Sequence, residues 1–308
     1  MAVDKEKISV CAIIVTYYPD LEKLDVLLSA LAEQTSAIII VDNHSKRELQ
    51  VYVNAHWESV LLLPLQRNVG VAAAQNRGIE AAIDRGYEYV LLMDQDSVPS
   101  QHMVSILHEA HNSLRRSGRN VSGVGPAYIN PISEKEPHFF VSGIFGYKRL
   151  WCSQHSPERY LRLECLISSG SLLETSAIQR IGYMEEGLFI DHVDTEWFLR
   201  AKSLGYDAYG ICAASMEHTL GAAAKKYWFF GFHSTIIHPP FRYYFMFRNS
   251  AALYKRSYIP VKWKIFDFIM RAKTVLILLL LSGDAWQHVG YIKAGILDGF
   301  KDKLGPIR

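Results

Sequence analysis

The chain has 308 residues, 49% hydrophobic and 21% charged, the balance of an ordinary globular protein, which excludes a disordered or fibrous chain. Thirty-three Lys+Arg against 31 Asp+Glu leave a net charge of +2, too small for a general nucleic-acid binder, whose affinity rests on neutralising phosphates. At about 150 residues per domain, the length points to two units, or to one α/β domain with a large appendage.

Residues 8–16 (ISVCAIIVT) form a continuous apolar, β-branched run, the pattern of a strand covered on both faces. Tyr18-Pro19-Asp20 ends it, and Leu24, Leu27, Leu28 and Leu31 then recur at helical spacing through residues 21–33. Residues 37–41 make a second strand closed by Asp42-Asn43, 60–65 a third, 71–85 an alanine-rich helix stopped by Gly86, and 89–93 a fourth strand running into Asp94. Strands alternating with helices make a parallel sheet. A helix is expected from about 101 to 116, after which the sequence to 161 is rich in Gly, Pro and aromatics and carries little periodicity. Ser168-Ser169-Gly170-Ser171 forms a turn before a helix over 175–181, and a further helix over 194–204 ends at Gly205.

The expected division is a catalytic α/β unit over 1–220 and a helical region over 221–308. The second holds 14 Lys+Arg and 4 Asp, a net of +10 that leaves −8 on the rest, together with 18 of the 37 aromatic residues. Its longest apolar run, residues 275–281, falls short of the roughly 20 residues needed to span a bilayer, and Asp267, Arg271 and Lys273 precede it. Arg242, Arg248, Lys255 and Arg256 among Tyr243, Tyr244, Phe245, Phe247, Tyr254 and Tyr258 suit a helical surface lying on an anionic membrane. A buried surface in a homo-oligomer would use similar residues. The N-terminus mixes acids with bases and lacks a cleavage site, so no secretory leader is expected. Cys11, Cys152, Cys165 and Cys212 are far apart without a CxxC pair, which points to unpaired thiols in a reducing cytosol.

Ligands of open parallel sheets bind beyond the carboxyl ends of the strands, and here those ends are polar: Thr16-Tyr17-Tyr18-Pro19, Asp42-Asn43-His44-Ser45, Arg67-Asn68 and Asp94-Gln95-Asp96-Ser97. Each alone is also ordinary turn chemistry. Asp94 and Asp96 repel each other at a cost on the order of a kcal/mol unless a cation lies between them. Mg²⁺ or Mn²⁺ accepts oxygen ligands while keeping positions open for phosphates, so the pair reads as a clamp for a diphosphate. The dinucleotide-binding and P-loop glycine patterns and the Gly-x-Ser-x-Gly elbow are missing from the sequence.

Val15 to Pro19, Val41 to Ser45, Asn68-x-Gly70 through Asn76-x-Gly78, and Asp94-x-Asp96, in this order, resemble the donor half of the family 2 glycosyltransferases of the GT-A fold. Phe189-Ile190-Asp191-x-Val193-Asp194-x-Glu196-Trp197 with Arg200 and Gly205, then Arg242-Tyr243-Tyr244 and Arg248-Asn249, resemble their bacterial rhamnosyltransferase branch.

The resemblance, which covers about residues 8–256, implies a Rossmann-like, mostly parallel sheet flanked by helices; the C-terminal helical extension is expected from its composition to associate with the membrane. It implies inverting, metal-dependent transfer of a deoxysugar, L-rhamnose from dTDP-L-rhamnose, to a lipid-linked glycan of bacterial polysaccharide or O-antigen synthesis, at the inner face of the cell membrane. A UDP-sugar donor is the near alternative, and a non-catalytic membrane-surface partner in polysaccharide assembly is the alternative of another class. Thr16, Tyr17, Tyr18, Asp42, Asn68, Gly70, Asn76, Asp94 and Gln95 would hold the donor, with Asp42 accepting from a pyrimidine N3–H. Asp94 and Asp96, with His218, would hold Mg²⁺ or Mn²⁺. Asp194 would be the general base, kept ionised near a helix N-terminus, with Asp191 and Glu196 as alternatives. Ser169, Gly170 and Trp197 would face the acceptor. The small face of Gly70, Ala74 and Gly78 serves either close ligand approach or packing on the sheet, with Asn76 the expected ligand contact.

Overall fold

The computed structural model describes residues 9–129, 137–143, 146–154, 160–218, 225–228, 232–235, 237–282 and 284–307. Its first half follows the expected alternation: β1 (Val10–Thr16), α1 (Leu21–Ala32), β2 (Ala37–Asp42), α2 (Arg47–His56), β3 (Leu61–Pro64), α3 (Val71–Asp84), β4 (Tyr89–Asp94), β5 (Ser97–Pro99) and α4 (Met103–Arg116). Then come β6 (Val121–Ile129), β7 (His138–Gly143), β8 (Gly146–Trp151), β9 (Tyr160–Leu163), β10 (Leu172–Glu174), α5 (Thr175–Ile181), α6 (Val193–Ser203) and β11 (Asp207–His218). The C-terminal part adds the β12 (Lys225–Trp228) and β13 (Phe232–Thr235) pair and three helices, α7 (Pro240–Tyr254), α8 (Val261–Leu281) and α9 (Ala285–Phe300).

The main sheet runs β3-β2-β1-β4-β10-β6-β11-β5, with β9 also paired to β11. β3, β2, β1 and β4 are mutually parallel, so their polar carboxyl ends line one edge. β10 lies antiparallel between β4 and β6, while β6 and β11 are parallel.

Successive strand residues point to opposite faces, and β1 divides its apolar run accordingly. Val10, Ala12 and Ile14 join the core beneath α1, α2 and α4. Cys11 and Ile13 join the one beneath α3, α5 and α6. Asp20 caps α1, accepting from the Glu22 and Lys23 N–H groups, and the four leucines spaced along it are the residues it buries.

Two expectations change. Helix α2 does not stand out in the sequence, because only Leu49 and Val53 are buried on it. The thiols are not all unpaired: Cys152 and Cys212 form a disulfide with Cα atoms 5.5 Å apart, tying the end of the β7–β8 hairpin to β11. They are 60 residues apart in sequence, so only the folding of the hairpin over the sheet brings them together. The proposed division at 220/221 lies outside the described residues.

Candidate active site

The tips of β1, β2 and β4 are joined by side chains that bond backbone. The Gln95 Oε1 accepts from the Tyr17 N–H at 2.8 Å, and its Nε2 donates back to the Tyr17 carbonyl at 3.3 Å. The Tyr18 N–H donates to the Ser45 Oγ at 2.8 Å. Tyr17 and Tyr18 are left 49% and 53% exposed, edge to face with ring centroids 4.7 Å apart. Rings held open at this edge offer a stacking surface for a planar base.

Asp42, 1% exposed, first of all builds this edge. The Thr16 hydroxyl donates to its Oδ1 at 3.2 Å, and the Ser45 N–H lies 3.2 Å from both carboxylate oxygens. Asn43 donates to the Asn68 Oδ1 at 3.0 Å and accepts from the Val69 N–H, while Asn68 also accepts from the Gly70 N–H. Asn68 thus shapes the loop that enters α3.

Asp94 ends β4, and Asp96, exposed, stands just before β5. The Asp94 N–H donates to the Ser169 Oγ at 3.1 Å, and that hydroxyl donates to the Ser97 Oγ at 2.9 Å. The adjacent Ser168 N–H donates to the Asp194 Oδ2 at 3.3 Å. Two consecutive residues therefore connect the Asp94-x-Asp96 turn to Asp194. The turn requires glycine at 170, where φ is +82° and an added Cβ would lie 2.7 Å from Pro126 and 2.8 Å from Met216. β11 pairs His218 with Ser97, placing its backbone beside the Asp pair.

Among the described residues, no three His, Cys, Asp or Glu side chains gather into a preformed metal cage. Two carboxylates on an open turn fit a hard divalent cation that takes its remaining oxygens from a diphosphate and water. Asp94 and Asp96 are the residues that would hold it.

Asp194 is the second residue of α6, and His192 stands at the cap with φ 61°. The carboxylate accepts from the Thr195 N–H at 2.7 Å, yet burial dominates and raises its pKa above the usual carboxylate value. The expected effect of the helix end is outweighed by loss of water. The loop before it is unusual: Phe189, Asp191 and His192 all have φ between 61° and 64° without a glycine among them. Each such residue costs on the order of 1–3 kcal/mol and persists only where the surroundings enforce it. Asp191 is paired with Arg242 at 3.1 Å.

A cavity of about 140 Å³ opens against Asp194, walled by Tyr128, His138, Phe139, Leu166 and Ile167, with Ser169 and Thr195 as further polar groups. Tyr128, His138 and Phe139 come from the stretch with little periodicity, and sequence reading missed them. Its aromatic richness was the available signal.

Three expected site residues are committed elsewhere. Asn76, expected to touch ligand, is buried and exchanges two hydrogen bonds with the Met184 backbone, both at 2.9 Å. Glu196 is fully buried, accepting from the Arg200 Nε at 2.8 Å and the Tyr258 hydroxyl at 2.7 Å. Trp197 is fully buried and donates to the Gly182 carbonyl at 2.7 Å, so it packs the core instead of facing an acceptor. The bare face of α3 is likewise filled by protein: a Cβ at Gly70 would lie 2.6 Å from Phe189, and one at Gly78 2.3 Å from Ile13.

The sequence profile described as Glycosyl transferase family 2 matches residues 11–181. The chain is 30% identical over 302 residues to a dTDP-rhamnosyl transferase, RfbF, of Shigella flexneri, covering 96% of this chain and 97% of that one. Among solved structures, residues 1–349 of S. aureus TarS superpose with a TM-score of 0.58 at 13% identity, over 94% of this chain and 80% of that one. GalNAc-T7, solved with UDP, GalNAc and Mn²⁺, gives 0.56 at 13% identity, over 70% of this chain and 44% of that one. The fold, the profile and the near full-length relative agree: the chain belongs to glycosyl transferase family 2, as a rhamnosyltransferase-like member with the GT-A fold.

Proposed function

We propose that the chain moves L-rhamnose from dTDP-L-rhamnose onto a hydroxyl of a lipid-linked glycan, with inversion, in bacterial polysaccharide or O-antigen synthesis. The observation that carries this is the Ser168-Ser169 bridge, which sets a half-buried carboxylate beside the Asp94-x-Asp96 turn. Such a carboxylate is a stronger base than an exposed one and suits proton removal from an alcohol. The acceptor oxygen, losing its proton to Asp194, bonds to the anomeric carbon as the bond from that carbon to the diphosphate oxygen breaks and dTDP leaves. Attack and departure on opposite faces of the sugar invert the anomeric centre. A divalent cation, Mg²⁺ or Mn²⁺, when held by Asp94 and Asp96, supplies positive charge against the departing diphosphate.

Tyr17 and Tyr18 hold the base, Gln95 keeps their backbone in place, and the cavity beside Asp194 receives an acceptor ring by its apolar face. The relative's dTDP-sugar specificity favours thymidine, whereas the TarS structure with UDP-GlcNAc keeps a UDP-sugar as second reading.

On α8, Val261, Ile265, Phe268, Ile269, Leu276, Leu279 and Leu280 are all exposed at helical spacing, and Trp286 beyond it is 86% exposed. Asp267 and Arg271 turn inward, where they pair at 3.3 Å. Among the described residues no helix is long and apolar enough to cross a membrane. We assign this apolar stripe, in a region of net charge +10, to an anionic membrane surface at the cytoplasmic face. Two copies of so basic a region would repel each other.

A screen of sugar nucleotides with bacterial membrane lipids as acceptor source tests the reading. dTDP release from dTDP-L-rhamnose that is abolished by chelator supports it. Release of another nucleotide redirects the donor assignment, and a lack of any metal-dependent stabilisation by nucleotide would favour a non-catalytic assembly partner.

A further inference from the structure

Residues 187–192 carry three left-handed, non-glycine positions immediately ahead of α6. Leu188 to Ile190 closes as a tight γ-turn: Phe189 sits at φ 64° and ψ −63°, and the Ile190 N–H donates to the Leu188 carbonyl at 2.7 Å. This is the rare, strained hand of that turn. Nothing in the local sequence favours it, so the support comes from outside.

That support is one turn of α7. Asn249, fully buried, points its Nδ2 at three carbonyls of the loop, Leu188 at 2.9 Å and Ile190 and Asp191 at 2.8 Å. Two protons serve three acceptors, so one is shared. Its Oδ1 accepts from the Arg248 Nε at 3.0 Å, which fixes which way the amide faces. Arg248, also fully buried, donates from Nη2 to the Gly187 carbonyl at 3.0 Å and the Leu188 carbonyl at 2.9 Å. Its guanidinium lies 4.9 Å from the Phe245 ring, which stacks on Phe189 with centroids 5.0 Å apart. The next residue, Ser250, meets the His192 Nε2 at 3.1 Å. On the far side, the Phe189 carbonyl accepts from the Val71 N–H at 2.7 Å, so the same loop also touches the entrance of α3.

We infer that Arg248 and Asn249 are positioning residues: they hold the loop 187–192 in its left-handed form and thereby set the direction in which Asp194 meets the acceptor. The inference rests on the reading of Asp194 as general base. Displacing a reacting group by about an ångström can cost roughly a hundredfold in rate, so the clamp acts on turnover more than on donor binding, whose residues lie on other strand tips.

The test uses the full chain and four variants: Asn249→Asp, which sets a carboxylate against three carbonyls; the milder Asn249→Ser; Leu253→Ala, a core change on the same helix; and Asp194→Asn. Turnover is read as dTDP release from dTDP-L-rhamnose with bacterial membrane lipids. We expect both Asn249 variants to lose about tenfold or more in kcat with donor KM and stabilisation by dTDP little changed, and Leu253→Ala to keep its kcat at a comparable loss of Tm. Hydrogen exchange of the 187–195 amides, which needs neither donor nor acceptor, is expected to rise in Asn249→Ser and to stay unchanged in Leu253→Ala. Wild-type kcat and unchanged exchange in the Asn249 variants, beside an inactive Asp194→Asn, overturn the clamp and leave the base. Full transfer by Asp194→Asn, with raised exchange in Asn249→Ser, overturns the base and leaves the clamp.

Discussion

At the tips of β1, β2 and β4, the groups proposed to hold the donor are placed by side chains of neighbouring strand tips: Ser45 bonds Asp42 locally and Tyr18 across 27 residues, and Gln95 bonds Tyr17 across 78. On the base side, Asp194 follows a loop whose carbonyls are held by Asn249, 58 to 61 residues further along the chain. The donor edge is a consequence of parallel strands ending together. The base depends on a C-terminal helix docking correctly. The first arrangement tolerates change in the rest of the chain, while the second makes activity sensitive to residues that touch no substrate.

The sharpest way to break this contrast is Asp194→Asn. A general base contributes roughly 10²–10⁴ in rate, so kcat is expected to fall by that much while dTDP still stabilises the protein. Near-normal transfer, with Asp191→Asn inactive instead, would move the base one turn earlier. On the donor side, Asp96→Ala is expected to weaken metal-dependent dTDP binding by roughly 2–3 kcal/mol, an effect that chelator reproduces in the wild type; titration calorimetry with and without Mg²⁺ measures it.

Gly170→Ala probes the joint between the two sides. Its Cβ would press on Pro126 and Met216 at a left-handed position, and a loss of about 2 kcal/mol is expected, seen as a lower denaturation midpoint. A smaller change concerns the outer face of the C-terminal helices: Phe268→Ser with Leu280→Ser should weaken co-sedimentation with phosphatidylglycerol vesicles about tenfold or more. Stability should hold, because both side chains are exposed. These substitutions are cleaner than removal of 261–308, since Arg248 also bonds the Gly305 carbonyl and truncation would disturb the clamp.

The smallest effect follows from burial of Asp194. Its raised pKa means that the folded state holds the proton more tightly than the unfolded one. Stability therefore falls as pH rises from the unfolded carboxylate value, about 4, through the folded one. At neutral pH Asp194→Asn should stabilise the fold slightly, by about 1 kcal/mol or less, while lowering turnover as above. The acidic limb of the wild-type kcat profile should lie above the ordinary carboxylate range. A limb at or below about 4 would show that Asp194 is not the group titrating.

Sequence alone determined the four parallel strands and helices α1 and α3 between them, because β-branched runs and apolar residues at helical spacing are local patterns with one way to bury their apolar faces. It also placed Asp94, Asp96 and Asp194, since carboxylates after a strand and at a helix start are visible as such. Tertiary structure decided what those residues meet. Asn76, Glu196 and Trp197 have the chemistry of ligand contacts, but whether a polar group serves protein or substrate depends on partners distant in the chain, such as Met184, Tyr258 and Gly182. The Cys152–Cys212 pairing, the cavity walled by Tyr128 and Phe139, and the hold of Asn249 on a loop with three non-glycine left-handed residues have the same origin. Each is a long-range contact, and no sequence window contains both of its ends.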